Sequence, residues 1–311
     1  MGLKIVHFGT PEESRVSLRA ILQAGHEVLA VVTQPDRPAG RGRRLTSPPV
    51  KLEALARGIP VLQPKTCRHG QVASQLQELA PEVITVVACG FILTEEILAL
   101  PKIMPVNLHF SLLPKWRGPA PVAWAIIAGE ETTGVTTMKI TPPLDAGPIL
   151  LQRPCAIGPE ETAGQLKARL AQLGAELLVE TLQNLAEGRL SPVPQDEAAV
   201  TWAPALKAED GFLDFNQPAR LVQARARGVT PWPGASAGYA GKRLKVFDCR
   251  CDQAKPEGPP GQILGLGPEG FKVACQAGHL YIGRVQHPGK RPVLAAQAAR
   301  GAGPRVGERL Q

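Results

Sequence analysis

At residues 106–111 the chain reads Val106-Asn107-Leu108-His109-Phe110-Ser111, in which apolar and polar residues alternate. Alternation with period two is typical of a half-buried β-strand and places the three polar side chains on one face. Leu112-Leu113-Pro114 follows, and the proline predicts the end of the strand because it cannot donate to a sheet ladder. For the strand taken alone, the simplest interpretation is a polar face that is exposed to solvent and has no chemical role.

Two polar loops favour a chemical interpretation of that face. Lys115-Trp116-Arg117-Gly118 follows the proline, and Leu144-Asp145-Ala146-Gly147 follows a later apolar run. Asn, His and a loop Asp can together stabilise an oxyanion, move a proton and orient an imidazole. Asn107, His109 and Asp145 are therefore candidates for catalytic residues.

The residues on either side predict an α/β fold. Repeated βα units favour a doubly wound, parallel, Rossmann-like sheet whose site lies at the carboxyl ends of its strands. The first strand is followed by Gly9-Thr10-Pro11 and not by G-x-G-x-x-G, which counts against a dehydrogenase. His7 in that strand is expected to be a satisfied core residue. Strand-like runs occupy 4–9, 28–33, 59–62, 82–87 and 134–140, and helical patterns occupy 50–57, 70–79, 94–100 and 162–185.

The residue pattern changes after residue 206, which predicts a second domain. The length of 311 residues also suggests two domains. Short strand-like runs separated by Gly-Pro turns, with one helix near 217–227, are typical of a small β-barrel. We predict a catalytic domain at 1–189, a linker at 190–206 and a basic C-terminal barrel domain at 207–311. The last residues, 298–311, are expected to fray.

The charge lies unevenly along the chain. Residues 207–311 hold 16 Lys and Arg against 8 Asp and Glu, which accounts for the whole net charge of +8. A basic module beside a neutral one indicates a polyanionic partner, most simply nucleic acid. From charge alone, a basic surface kept for solubility explains the same numbers equally well.

Several classes of protein are disfavoured by composition. No apolar run approaches the length of a membrane span, and the first residues lead directly into a strand-like run without a signal peptide. The six cysteines show no CxxC pattern, so we expect free thiols, no metal and a reducing compartment. A cytoplasmic protein without a membrane partner is the prediction, and nothing indicates an obligate protein partner.

The loop at 34–51 is much longer than an ordinary strand exit. It carries five cations against one anion, Asp36. Long loops within compact domains are more often functional than not, although a disordered insertion is the alternative. Its cations are Arg37, Arg41, Arg43, Arg44 and Lys51.

Residues 107–118, together with Leu144-Asp145-Ala146-Gly147, closely resemble the 10-formyltetrahydrofolate-dependent formyltransferases, and the resemblance runs from residue 5 to the C-terminus. Within that family the chain is most similar to the branch that acts on methionyl-tRNA. The resemblance implies a Rossmann-like formyltransferase domain and an OB-like C-terminal β-barrel. It also implies 10-formyltetrahydrofolate as formyl donor and co-substrate, and initiator methionyl-tRNA as acceptor.

The resemblance also implies binding residues. The folate site would be walled by Ser111, Leu112, Leu113 and Pro114 and by the strand exit Cys89, Gly90, Phe91 and Ile92. The 34–51 loop would lie against the tRNA acceptor stem, with Arg41 at the family's matching position. Cations of the first barrel segment, Lys242, Arg243 and Lys245, are further candidates for RNA contact. Two departures from the family pattern are Cys89, where a Tyr is usual, and Pro142-Pro143, which predict a stiffer loop before Asp145.

The implied reaction moves the formyl group from N10 of the folate to the α-amino group of methionyl-tRNA. Asn107 would donate to the formyl oxygen, His109 would donate and then supply a proton to N10, and Asp145 would hold the imidazole tautomer or take the amine proton. One alternative is a formyltransferase for a ribonucleotide or nucleotide-sugar amine, which would need neither the arginine-rich loop nor the basic module. The other is a non-catalytic RNA-binding protein, which would not need the trio.

Overall fold

The structure is a computed structural model, and it describes residues 2–39, 42, 44–68, 70–255 and 257–311. Contacts divide the chain into two compact units that interleave along the sequence. Unit 1 is Met1–Gly118, Thr133–Cys155 and Lys167–Trp202, and unit 2 is Pro119–Thr132, Ala156–Leu166 and Ala203–Gln311. The domain borders at 189 and 207 stay a prediction, because these units each take three separate segments.

The strands and helices are numbered in chain order. The strands are β1 (Lys4–Gly9), β2 (Glu27–Val32), β3 (Arg37–Ala39), β4 (Arg44–Thr46), β5 (Val61–Leu62), β6 (Val83–Val87), β7 (Met104–His109), β8 (Thr132–Lys139), β9 (Ile149–Ala156), β10 (Ser236–Tyr239), β11 (Lys242–Asp252), β12 (Ile263–Gly267), β13 (Gly270–Ala274), β14 (His279–Gln286) and β15 (Val293–Leu294). The helices are α1 (Glu12–Gln23), α2 (Pro49–Ala56), α3 (Gln71–Leu79), α4 (Glu95–Leu98), α5 (Pro121–Ile127), α6 (Ala163–Ala186), α7 (Ala219–Gly228) and α8 (Ala295–Ala299).

Unit 1 is built on a seven-stranded sheet in the order β5-β2-β1-β6-β7-β8-β9. The five strands from β5 to β7 pair in parallel, which confirms the predicted Rossmann-like sheet. β8 differs, since it runs antiparallel to β7; antiparallel strands beside a parallel sheet are common in mixed sheets. Val87 pairs with Leu108, so the carboxyl ends of β6 and β7 meet at one edge.

Close packing holds β7 in place. Val106 is fully buried and Leu108 is nearly so. A Cβ added at Gly174 of α6 would lie 2.9 Å from Cδ2 of Leu108, so any side chain at 174 would force Leu108 or the helix to shift. The strand that carries Asn107 and His109 therefore has a rigid support.

The buried His7 of β1 is confirmed as a satisfied core residue. Its Nδ1 lies 2.9 Å from Oγ1 of Thr85, and its Nε2 lies 2.8 Å from Oγ of Ser14. Burial lowers the pKa of His7 from 6.5 to about 4, so the ring is neutral in the folded protein at neutral pH.

The 34–51 loop contains a short hairpin that the sequence analysis did not predict. β3 and β4 pair antiparallel, with Pro38 opposite Leu45. Cross-strand pairing explains how a segment with three prolines before the helix still keeps an ordered base. Arg41 and Arg43 lie outside the described residues.

Unit 2 is built on an antiparallel sheet in the order β10-β11-β14-β13-β12, with β15 beside β14. This curled antiparallel sheet agrees with the OB-like barrel expected for the C-terminal part. Its core includes Phe271, Ile282 and Leu244, and also Ile127 from α5, which comes from the middle of the chain. The expectation that residues 298–311 fray is wrong, because the C-terminus is packed. Leu310 is 1% exposed, and Gln311 exchanges two backbone hydrogen bonds with Gly238.

Among the described residues, no helix is both long and apolar enough to cross a membrane. None of the six cysteines, all of them within the described residues, forms a disulfide.

Candidate active site

β7 brings Asn107 and His109 to one face of the sheet at its carboxyl edge. Residues two apart on a strand point the same way, so both side chains leave the sheet together. His109 is buried, whereas Asn107 is partly exposed. The Asn107 side-chain amide makes no hydrogen bond with any residue that the structure describes, which leaves its N–H groups available to a ligand.

A backbone carbonyl fixes the imidazole of His109. Nε2 lies 2.9 Å from the carbonyl oxygen of Trp116. Because a carbonyl oxygen only accepts, this hydrogen bond requires that Nε2 carry a proton. Nδ1 faces Asp145 at 3.7 Å from Oδ2, a distance for an ion pair and too long for a hydrogen bond. The hydrogen bond that fixes the imidazole is thus made by Trp116, and the role of Asp145 in holding the tautomer or taking the amine proton stays a prediction.

The Asp145 carboxylate has a different hydrogen-bond partner. Its Oδ2 accepts the backbone N–H of Gly118 at 2.9 Å. Three residues of the two loops have positive φ: Trp116 at 64°, Gly118 at 120° and Asp145 at 53°. Residues other than glycine rarely adopt positive φ, so the backbone of Trp116 and Asp145 is strained. Strained backbone of this kind concentrates at functional sites.

Residues 193–202 contact both site loops, although sequence reasoning placed them in a linker. Arg117 is 2% exposed and pairs with Glu197 through both guanidinium Nη atoms, at 3.1 and 2.8 Å. These hydrogen bonds hold the pKa of Glu197 below its usual value. Arg117 also donates to the amide oxygen of Gln195. Arg117 stood in the recognised motif, but nothing in the sequence signalled Gln195.

The predicted folate segment after β7 is held by neighbouring strands. Ser111 is fully buried; its hydroxyl donates to the carbonyl of Lys115 at 2.6 Å, and its own carbonyl accepts from Thr136. Leu113 donates its N–H to Thr136, and its carbonyl accepts from Gln152. The polar groups used in this way are therefore internal supports, whereas Leu112 and Pro114 are only half-buried.

The second predicted folate segment continues β6 at the same edge. Gly90 is exposed, Phe91 is half-buried, and Ile92 is 69% exposed. Burial raises the pKa of the Cys89 thiol to about 12, so this residue stays neutral and packs with the core behind the loop. Phe91 and Ile92 thus form an apolar wall with exposed side chains, and the contact of this segment with folate stays a prediction.

The predicted RNA contacts on the hairpin divide into two groups. Arg37 and Arg44 are exposed. Lys51 is instead tied to Asp36 at 2.8 Å, and Asp36 also accepts from Ser47 and Gln63. Lys51 therefore closes the base of the hairpin, and its role as an RNA contact stays a prediction.

The predicted cations of β11 divide in the same way. Lys242 and Lys245 are exposed. Arg243 donates to Oγ of Ser236 and to the carbonyl of Ala208, with its guanidinium 4.6 Å from the centre of the Phe212 ring. An arginine held so firmly within the protein is less able to reach a phosphate. Within the described residues, no group of three or more His, Cys, Asp and Glu side chains could hold a metal ion.

The parallel-sheet part and the antiparallel-sheet part of the chain each match a known family model. Residues 3–182 match the family model described as formyl transferase, and residues 205–303 match the model described as formyl transferase, C-terminal domain. The chain belongs to the formyl transferase family.

Relatives with high identity carry one name. The chain is 46% identical to "Methionyl-tRNA formyltransferase" of Moorella thermoacetica, over 96% of both chains. It is 47% identical to the protein of the same name from Citrifermentans bemidjiense, over 94% of this chain and 92% of that protein.

Solved structures with low identity share the fold. WlaRD, a sugar 3N-formyl transferase crystallised with dTDP and 5-N-formyl-THF, gives a TM-score of 0.69 at 17% identity, over 94% of this chain and all of that one. HypX from Aquifex aeolicus in complex with tetrahydrofolic acid gives 0.65 at 19% identity, over 96% of this chain and 47% of that one.

Proposed function

We propose that this protein transfers the formyl group of 10-formyltetrahydrofolate to the α-amino group of methionyl-initiator tRNA, giving N-formylmethionyl-tRNA for translation initiation. The observation that carries the proposal is the site of Asn107, His109 and Asp145 at the carboxyl edge of the sheet. It is supported by the names of relatives that match over nearly the whole chain.

The nucleophile needs little help from the protein. A free α-amine has a pKa near ~8, so it is partly neutral at working pH. The harder task is the negative charge that grows on the formyl oxygen as the amine adds to the carbonyl carbon. The unengaged amide of Asn107 donates to that oxygen and stabilises it.

His109 handles the proton of the leaving group. Its Nε2 is committed to the carbonyl of Trp116, so Nδ1 is the nitrogen free to act. When the tetrahedral adduct collapses, the C–N10 bond breaks and Nδ1–H of the imidazolium supplies a proton to N10. Asp145, at 3.7 Å, stabilises the imidazolium and takes the proton lost by the amine through a water.

The folate binds along the apolar edge beside this pair. Leu112, Pro114, Phe91 and Ile92 would contact the pteridine ring, with Cys89 as a neutral residue behind them. The bound donor supplies a formyl group already activated on N10. Ser111 and Leu113 act by keeping the segment in place.

The tRNA is held by two separate surfaces. The β3–β4 hairpin, with exposed Arg37 and Arg44, faces the acceptor end, and Arg41 and Arg43 stand between its two strands in the sequence. Lys242 and Lys245 of β11 contact phosphates without reading sequence. The location that fits this role is the cytoplasm, where initiation takes place.

The proposal is tested by an acceptor comparison. Purified protein is given labelled 10-formyltetrahydrofolate with charged initiator tRNA, charged elongator tRNA, or an amino nucleotide sugar. Label should enter the initiator tRNA with a much higher kcat/KM than either alternative. Preferential labelling of the amino sugar, or none of any acceptor, would overturn the proposal.

A further inference from the structure

Residues 193–202 form a strap, called here the 193–202 strap, across the two loops that carry the site. Val193 exchanges two backbone hydrogen bonds with Ile149, each of 2.8 Å. At the other end, Oγ1 of Thr201 accepts the N–H of Trp116 at 2.8 Å, and its carbonyl accepts the N–H of Arg117. The strap is therefore anchored on both sides of the site.

Gln195 lies between those two anchors. Its side-chain amide joins the two site loops through its nitrogen and its oxygen. Nε2 donates to the carbonyl of Asp145 at 2.8 Å and to that of Gly147 at 2.7 Å. Oε1 accepts from Nε and Nη2 of Arg117 at 3.0 and 2.8 Å. One side chain thus makes four contacts, two to each site loop.

The chemistry of these contacts requires a carboxamide. The two carbonyls need a donor, and the buried guanidinium of Arg117 needs an acceptor, since unpaired buried polar groups are costly. Asp145 sits at positive φ, so its loop is not held by local preference alone. A small displacement of that loop would move the carboxylate away from Gly118 and His109.

We propose that Gln195 is a positioning residue for the reaction: it locks the 145–147 loop onto Arg117 so that the Asp145 carboxylate stays at its observed place beside His109. The inference rests on the proposed function for its kinetic test. Gln195 does not touch the reacting atoms; it acts through Asp145. A plain structural brace would instead change stability and leave turnover per folded molecule unchanged.

Two substitutions separate the donor from the acceptor role. Gln195→Ala removes all four contacts, whereas Gln195→Glu keeps an acceptor for Arg117 and removes both donations to the loop. Both should lower kcat by roughly 10–100-fold, a loss typical of misplaced catalytic groups, while KM for folate and for tRNA stays within about twofold. The matched control is Gln77→Ala, an exposed glutamine of α3, which should leave kcat unchanged.

A double-mutant cycle shows whether Gln195 works through Asp145. Residues that act as a unit are non-additive, so Gln195→Ala should cost less than about twofold in kcat once Asp145→Asn is present. An equal loss in both backgrounds, or full kcat in Gln195→Glu, would overturn the proposal.

A spectroscopic readout separates this inference from the proposed function. The amide proton of Gly118 donates to the Asp145 carboxylate, and its NMR shift and exchange rate report that hydrogen bond directly. In Gln195→Ala the Gly118 amide should move upfield and exchange faster, while core amides keep their positions. If the wild-type protein formylated no tRNA, the proposed function would fail but this result would still stand; an unchanged Gly118 amide would remove the positioning role itself.

Discussion

At the scale of single residues, the site combines a fixed imidazole with a partly exposed amide. His109 is oriented by the carbonyl of Trp116, and the Asn107 amide has no hydrogen-bond partner among the residues that the structure describes. His109→Ala and Asn107→Ala should each lower kcat by roughly 10²–10³-fold, the usual loss for one acid–base group or one oxyanion donor. Single-turnover assays with bound tRNA measure this loss free of product release.

The same two variants should bind tRNA about as well as wild type, because neither side chain lies in the hairpin or in β11. Filter binding checks this, and circular dichroism checks the fold. Near-wild-type turnover in His109→Ala would show that the imidazole is not part of the chemistry.

His7 provides a residue-scale prediction about stability. Its pKa is about 4 in the folded protein and near 6.5 when unfolded, so between these pH values the unfolded chain binds more protons. The stability that depends on the neutral ring is therefore fully present above pH 6.5 and is lost as pH falls to about 4, by about 3 kcal/mol at most. Urea unfolding from pH 7 to pH 4 should show this slope.

His7→Asn serves as the comparison, because an amide can still pair with Ser14 or Thr85 but does not titrate. It should be less stable at pH 7 and lose less free energy of unfolding on acidification. Parallel pH dependences for the two proteins would mean that His7 is not the group responsible.

At the scale of elements, the hairpin of β3 and β4 depends on one carboxylate at its base. Hydrogen bonds from Gln63, Lys51 and Ser47 lower the pKa of Asp36 to about 2, so Asp36 stays ionised throughout the working pH range. Asp36→Ala should release the base of the hairpin from Lys51, Ser47 and Gln63. The hairpin would then lose more entropy when it becomes ordered on the tRNA. We expect kcat/KM for initiator tRNA to fall by roughly 3–10-fold, with KM for folate unchanged, in formylation assays.

The matched control is Glu176→Ala, which also removes one carboxylate paired with a cation, Arg153, but belongs to α6 and to neither the hairpin nor β11. It changes the net charge equally and should leave kcat/KM for initiator tRNA within about twofold. Equal effects of the two variants would point to net charge and would contradict a role for the anchored hairpin.

At the scale of the whole molecule, the interleaved units decide how the basic module can be tested. Removing residues 207–311 would strip the core around Ile127 and Trp124 of α5, which belong to the same unit as the C-terminal sheet. Exposed apolar core residues would then destabilise the remaining chain, so a truncation cannot isolate RNA binding. Point substitutions on β11 are the sharper experiment.

Lys242→Ala combined with Lys245→Ala should weaken binding to initiator and elongator tRNA alike. Each lost phosphate contact should reduce the slope of log K against log salt by about 0.7–0.9. Binding measured across a salt series with both tRNAs gives that slope.

Arg243→Ala is the contrasting variant, because Arg243 is bound to Ser236 and Ala208 over the Phe212 ring. It should lower the melting temperature and leave the salt slope nearly unchanged. A salt slope that fell in Arg243→Ala but not in the lysine variant would reverse the assignment of these cations.

The sequence by itself determined the α/β class, the strand that carries Asn107 and His109, and the long helix that the structure places at Ala163–Ala186. These features are local: alternation, helical periodicity and proline positions act over a few residues, so they can be read without the fold. The family motif supplied Asp145, together with the expected roles of the trio.

Only the tertiary structure decided which groups surround that trio. The carbonyl of Trp116 meets His109 from 7 residues away along the chain, the N–H of Gly118 meets Asp145 from 27 residues away, and the side chain of Gln195 meets Asp145 from 50 residues away. Packing between separate segments likewise decides that Lys51 pairs with Asp36, that contacts within the protein hold Arg243, and that β8 runs antiparallel to β7. Such contacts depend on where the folded backbone brings its carbonyls and amides, and every non-proline position carries those same two groups.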